Sequence, residues 1–355
     1  MSFTKTIEFA NYTLNFGTDK VLLDAFECIV KPSFIDEKYI RKFKDTEYFF
    51  TDTKLIVLNS EDQIDTEFVG PHQSVIPTLA LCGRIIKKTT FKREQIFQDG
   101  NLIKDHKTLE SHPSSIFVLM LNDHRLMLCK EVPGAPTLEE FENTSRHCLA
   151  ERYNSFVDYE IKKNKRLRKK KTHIKRLYKK EIYEKLSVPR LRVTPLTDSR
   201  TLNNFVELFS VVNKLSIELL PTNSENISLD DFWEKIEEEK NDLNSNKAQL
   251  VFTNRTEDGL NSNAVIEKTA SATRMANSKV IISGKDENGA RLSGNNESFT
   301  LKAPKAQLSS DIDRAAQEAY ATFNELKEEG NIVTPDRHDR AKILSRITTI
   351  INRWL

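Results

Sequence analysis

Between Thr137 and Val188 the chain has neither Gly nor Pro, and inside that stretch Lys162–Lys180 reads KKNKRLRKKKTHIKRLYKK. Twelve of those nineteen residues are Lys or Arg and none is acidic. With no helix breaker, and with Thr137 followed by Glu140 as a capping box, the region is expected to be helical. Tyr153, Phe156, Val157 and Ile161 give one apolar stripe, and Ile174, Leu177, Tyr178, Ile182 and Leu186 give another. Between Ile161 and Ile174 only Leu167 is apolar, so the middle turns have almost nothing to bury and are expected to project into solvent. One helix over Leu149–Leu186 would run roughly 55 Å. A break near Thr172-His173 would instead fold it into a hairpin, and the pattern leaves both open.

Removing this segment's twelve cations from the chain's 54 leaves 42 against 52 acidic residues, so the remainder carries a net charge of −10. A concentrated cationic rod on a mildly acidic body points to a polyanion. Lys162/Arg166, Lys165/Lys169, Arg166/Lys170, Lys171/Lys175, Lys175/Lys179 and Arg176/Lys180 stand at helical neighbour spacing. Each such pair costs an isolated helix roughly 0.2–0.5 kcal/mol, a sign that an anion lattice would reverse. The expected contacts are Lys162, Lys163, Lys165, Arg166, Arg168, Lys169, Lys170, Lys171, Lys175, Arg176, Lys179 and Lys180, all to phosphate. With no Gln and only Asn164 among them, base reading is not expected from this element. Two rival uses are docking on acidic surface such as Glu237–Glu239 or an acidic protein partner, and nuclear localisation. No strong apolar face accompanies the charges, so membrane insertion is not expected.

The whole chain is expected to be α+β in two domains joined by this connector. Residues 1–136 read as a mostly antiparallel β domain, 137–188 as the basic helical connector, and 189–355 as an α+β domain ending in two helices. In the first part, Thr6–Leu14 reads as a strand and Val21–Val30 as helix or strand. Glu47–Phe50 and Lys54–Leu58 read as a hairpin around Thr51-Asp52-Thr53. Arg84–Phe91 and Gln95–Lys104 read as strands, the second turning at Asp99-Gly100-Asn101. Ser115–Leu121 and Arg125–Lys130 close a hairpin at Asn122-Asp123-His124. Arg84, Lys87, Lys88, Lys92 and Arg93 form a second basic cluster, expected on an edge strand. Beyond Pro189, strands are expected at Arg190–Leu196, Leu215–Leu220 and Gln249–Thr253, with helices at Arg200–Asn213 and Ser228–Leu243. A meander follows at Val280–Ser283, Arg291–Leu292 and Ser298–Leu301. Helices from about Ser310 to Gly330 and from Thr334-Pro335 end the chain.

Catalytic and metal motifs are not found. Asp158 with Glu160 and Lys162 has the letters of a carboxylate–ExK nuclease core, but in a helical, basic context. His72, His106, His112, His124, His147, His173 and His338 lack ligand spacing. Ser283-Gly284-Lys285 lacks the upstream glycine of a phosphate loop, so Gly284, Gly289 and Gly294 read as hairpin turns. Cys28, Cys82, Cys129 and Cys148 read as small core residues. MSFTKTIEF has no signal-peptide core. The expectation is a cytoplasmic, non-enzymatic protein needing no metal or cofactor.

The segments EYFFTDTKL, SSIFVLMLNDHRLMLCKEVPGAPTLEEF, the strand–helix–strand opening RVTPLTDSRTLNNF, and KDENGARLSGN before AAQEAY follow one another in an order that resembles the RexA-like phage-exclusion proteins. The resemblance covers about half of the chain. It implies a two-domain, dimeric, sequence-independent DNA-binding protein of bacterial antiviral defence, hence DNA ahead of RNA and a partner within a defence system. This chain is longer, and its cationic rod is the main addition.

Overall fold

Leu79–Cys82, Ile116–Leu121 and Leu126–Cys129 are continuous apolar runs, the composition a strand needs when both faces are covered. All of these residues are buried. The computed structural model describes residues 4–17, 20–58, 78–170, 173–220, 231–245, 247–273, 278–333 and 340–355. The class is α+β, as expected.

β1 (Lys5–Asn15) is followed by helical turns over Leu22–Ala25 and Phe26–Val30 and by α1 (Lys31–Ile35). β2 (Arg41–Phe43), β3 (Thr46–Val57), β4 (Leu79–Gln98), β5 (Asn101–Ser111), β6 (Ser114–Met120) and β7 (Arg125–Lys130) follow. They pair antiparallel in the order β1-β7-β6-β4-β3-β2, while β5 pairs only with β4. The β6–β7 hairpin closes at Asn122, whose side chain accepts the Leu79 N–H at 2.9 Å. The hairpin expected at Thr51-Asp52-Thr53 is not formed. β3 runs straight through with a register shift between Thr51 and Lys54, Asp52 taking φ 52°. Opposite this bulge the backbone of Gly83 comes so close that a Cβ there would lie 2.6 Å from Thr53 Oγ1. Of the basic cluster expected on an edge strand, Arg84, Lys87 and Lys88 are not at an edge, because β4 runs between β3 and β6 as far as Lys88 and Ile86, respectively, whereas Lys92 and Arg93 lie beyond, where β4 pairs with β5 alone.

α2 (Leu138–Lys170) lays Phe141, Cys148, Leu149, Tyr153 and Val157 onto one face of this sheet. Phe34, Phe50, Phe117 and Phe141 form its central aromatic contact, with ring centroids 4.7 to 6.4 Å apart. The expected capping box is present: Glu140 N–H donates to Thr137 Oγ1 at 3.2 Å and Thr137 N–H donates to Glu140 Oε2 at 3.0 Å. Glu140 Oε1 also accepts from Tyr48 Oη of β3 at 2.6 Å and from Lys87 Nζ of β4 at 2.7 Å. Burial alone would push this carboxyl up. The bonds from Lys87, Tyr48 and Thr137 outweigh it and hold the group below its ordinary range.

After α3 (Lys179–Lys185), β8 (Arg190–Pro195) pairs with β1 over Ala10–Asn15. A second sheet then forms. α4 (Ser199–Glu207) precedes β9 (Val211–Leu219), α5 (Asp231–Asp242) precedes β10 (Ala248–Thr253), and α6 (Ser262–Thr273) precedes β11 (Ser278–Lys285) and β12 (Arg291–Asn295). The strand order is β10-β9-β11-β12. Leu202, Val206, Leu215, Ile217, Trp233, Val280 and Ile282 make its separate core. The helix expected over Arg200–Asn213 stops at Glu207, because Val211 onward is drawn into β9. Ser210 marks the change, its N–H bonded to Lys285 O at 2.9 Å. Ser298–Phe299, expected as strand, lies in a short 3-10 turn over Asn296–Phe299. Ser228 and Thr334-Pro335 fall outside the described residues. Of Gly284, Gly289 and Gly294, all expected as hairpin turns, only Gly289 turns, with φ 75°; Gly284 and Gly294 lie within β11 and β12, where a Cβ on Gly284 would collide with Val211 O.

β13 (Lys302–Lys305) returns to the first sheet and pairs with Lys5–Glu8 of β1, end to end with β8. The buried Glu8 carboxylate holds this join through Lys130 at 2.9 Å and Lys302 at 3.3 Å. α7 (Ile312–Glu328) covers the sheet's other face with Ile312, Ala315, Ala316, Ala319 and Phe323. α8 (Arg340–Trp354) sets Ile343, Ile347 and Ile350 on the α2 side.

Replacing Glu140 with Ala removes charge-assisted bonds to two strands and should lower stability by about 1.5–3 kcal/mol. The readout is a lower urea midpoint at unchanged m. Because the folded carboxyl is depressed, its contribution is present above the ordinary value of about 4.3 and lost as pH falls through the lower folded value. The gap between wild type and Glu140→Ala should therefore close on acidification.

Candidate nucleic-acid interface

The last buried residue of α2 is Val157, and the helix continues for more than three turns past it. Lys162, Lys163, Lys165, Arg166, Arg168, Lys169 and Lys170 occupy those turns, all exposed. Lys171 and Thr172 lie outside the described residues. Lys175 and Arg176 follow on the irregular returning segment, and Lys179 and Lys180 open α3. These, too, are exposed.

The segment is a hairpin rather than one long helix, and Asn164 holds it closed. Its Nδ2 donates to Lys175 O at 3.1 Å, and its Oδ1 accepts the Leu177 N–H at 3.1 Å. Farther down, Tyr183 stacks on Tyr153 with centroids 6.1 Å apart, and Tyr153 Oη donates to Leu186 O. A lone amide in a cationic run was the visible signal. Its job is to satisfy two backbone groups of the returning chain.

Acids gather at the base of the hairpin. Lys163 meets Glu160 at 3.7 Å, Lys179 meets Asp158 at 4.0 Å, and Lys180 meets Glu184 at 3.9 Å. These are exposed pairs, each contributing about 0–1 kcal/mol. Lys162, Lys165, Arg166, Arg168, Lys169, Lys170, Lys175 and Arg176 have no carboxylate within 4.0 Å among the described residues. Glu238 and Glu239 do not reach them, and the Glu237 side chain is outside the described set. Arg168, Lys169 and Lys170 sit where the negative end of the α2 dipole partly compensates them. Lys179 and Lys180 stand at the positive end of α3, where the dipole adds to the repulsion.

The second basic cluster differs. Arg84 pairs with Asp52 and Glu131 at 3.2 Å, Lys87 with Glu140 at 2.7 Å, Lys88 with Glu47 at 3.7 Å and Lys92 with Asp45 at 3.9 Å. Arg93 pairs with Asp105. Each of the five charges has a protein partner, so the structure does not join them to the hairpin's unpaired tip.

Asp158, Glu160 and Lys162 lie along α2, not on adjoining strands as the ExK arrangement requires. Cys82, Cys129 and Cys148 are buried and Cys28 partly so. Burial pushes the Cys129 and Cys148 thiols up to about 12. Among the described residues no helix is long and apolar enough to cross a membrane.

Residues 156–319 match a family described only as a domain of unknown function, DUF4747. The matched span opens in α2 just before the basic turns, takes in the hairpin and the second sheet, and ends in α7. No curated protein matches the chain.

Asn164→Ala should release the returning segment around Lys175–Leu177 without unfolding the sheet. Two hydrogen bonds of about 0.5–1.5 kcal/mol each are lost. Hydrogen exchange at the Leu177 amide should accelerate roughly tenfold while the global urea midpoint stays in place.

Proposed function

We propose that the chain is a sequence-independent nucleic-acid-binding protein whose α2–α3 hairpin grips the phosphate backbone. The observation that carries the reading is the set of eight cations at the hairpin tip with no carboxylate partner among the described residues. A duplex presents one phosphate charge per ~1.7 Å of axis, dense enough to meet several of them together. Lys and Arg without base-reading amides position a protein on the backbone and leave sequence unread. The order of segments shared with the RexA-like phage-exclusion proteins extends this to duplex DNA, a dimer and bacterial antiviral defence in the cytoplasm. No catalytic residue, metal or cofactor is part of the reading.

With about six phosphates engaged, log affinity should fall against log salt with a slope near −5, equally for unrelated duplex sequences. Arg168→Glu, Lys169→Glu and Lys170→Glu together should flatten that slope by about 2.7 and leave the thermal midpoint in place, since all three side chains are exposed. A flat salt response of the wild type, or a stoichiometric acidic protein that co-purifies and holds the hairpin instead, would sink the proposal.

A further inference from the structure

β4 parts from the main sheet after Lys88, its last residue paired with β3, and runs on to Gln98 against β5 alone. Thr89–Gln98 spans about 33 Å of two-stranded ribbon. Such a hairpin is marginal in water without a packed face. This one nevertheless leaves Phe91, Phe97, Leu102, Ile103 and Leu109 between 45% and 74% exposed.

The register sorts them. Phe91 stands opposite Leu109, Arg93 opposite Lys107, Gln95 opposite Lys104, and Phe97 opposite Leu102. Alternation along β4, with the shift between Arg93 and Gln95, puts all four pairs on one face. That face is apolar at its root, cationic in the middle and apolar at its tip. Arg93, Lys104 and Lys107 against Asp105 leave it at +2. The other face carries Lys92 against Glu94 and Glu110, a net −1 before His106 is counted, and His106 is held by Glu94 at 2.8 Å. Phe97–Leu102 is one pair short of the turn, where Asp99 and Gly100 both take positive φ.

A second copy of the chain is a poor cover for this face. Antiparallel stacking of two ribbons would match tip to root but press Lys104 and Lys107 of each copy onto those of the other, desolvating like charges. Duplex nucleic acid answers both features, with phosphates for the lysines and a base stack for the apolar pair. Minor-groove proteins insert such apolar wedges between base steps and kink the duplex.

We propose that the β4–β5 ribbon is a second nucleic-acid element, lying along a groove and driving Phe97 and Leu102 between base pairs while Lys104 and Lys107 take the flanking phosphates. This rests on the nucleic-acid reading of the hairpin. The hairpin supplies salt-sensitive grip, and the ribbon supplies a salt-insensitive, deforming contact.

The test uses the full chain and duplexes carrying a fluorescent adenine analogue that brightens on unstacking. Wild type should brighten it. Phe97→Ser with Leu102→Ser should abolish that signal and weaken binding roughly 5- to 150-fold, at an unchanged salt slope. Phe97→Trp should keep both. The positions are exposed, so an unchanged thermal midpoint checks the fold. Unchanged affinity and fluorescence in the serine variant, with binding still lost on charge reversal in the hairpin, would overturn the wedge and leave the hairpin reading standing. Absence of wild-type binding at any salt would overturn both. A serine variant that sediments as monomer where wild type is dimeric, at unchanged duplex affinity, would assign the face to a second copy.

Discussion

The Glu140 carboxylate is the joint on which the functional geometry depends. It caps α2 through Thr137 and receives Tyr48 from β3 and Lys87 from β4, so one side chain ties the start of a 33-residue helix to two neighbouring strands. Both elements proposed for ligand contact leave from here. The hairpin tip lies at the far end of α2, and the ribbon begins at Thr89, two residues past Lys87. Lys162 is 22 residues from Glu140, about 33 Å along the helix axis. Small errors of angle at the root would become large displacements at the tip. A charged, three-donor anchor beside the Phe34–Phe50–Phe117–Phe141 cluster resists that, since aromatic packing limits tilt while the carboxylate fixes register.

Charge is handled in two opposite ways. Arg84, Lys87 and Lys88 stand where strands and helices meet, and each has a carboxylate supplied from another element. At the hairpin tip none of the described residues brings one. Three like-charge neighbour pairs on α2 (Lys162/Arg166, Lys165/Lys169 and Arg166/Lys170) oppose the helix by about 0.6–1.5 kcal/mol. Two hydrogen bonds from Asn164 return about 1–3 kcal/mol. The near balance explains how the tip stays folded while its charges remain open to an anion.

What the sequence disclosed follows the range of the interactions involved. The Thr137–Glu140 box was legible because both partners lie within one turn, and the β6–β7 hairpin because Asn122-Asp123-His124 sits between two apolar runs. The choice between a rod and a hairpin was not, since Asn164 decides it by bonding residues 11 and 13 positions away. The β3 bulge looked like a turn because Thr51-Asp52-Thr53 has turn composition, and only the pairing with β4 carries the strand through it. α6 passed unnoticed although Asn261 caps it, accepting the Ala264 N–H at 3.0 Å. Its side chains are too mixed in hydropathy to print a stripe. Nor could local pattern show that β8 and β13, more than a hundred residues apart, lie end to end on β1.

The same limit bears on the candidate sites. The cationic run was visible as composition, but composition also flagged Arg84–Arg93, and only the fold separates the two. A carboxylate at 2.7 Å neutralises Lys87, whereas Lys169 has none within 4.0 Å among the described residues. At physiological salt, exposed charges farther apart than about 8 Å are largely screened from one another. A mildly acidic body therefore does not shield the tip at a distance. Phosphates brought to contact would meet it as an undiminished local field, which makes local pairing, not net charge, the property that selects the interface.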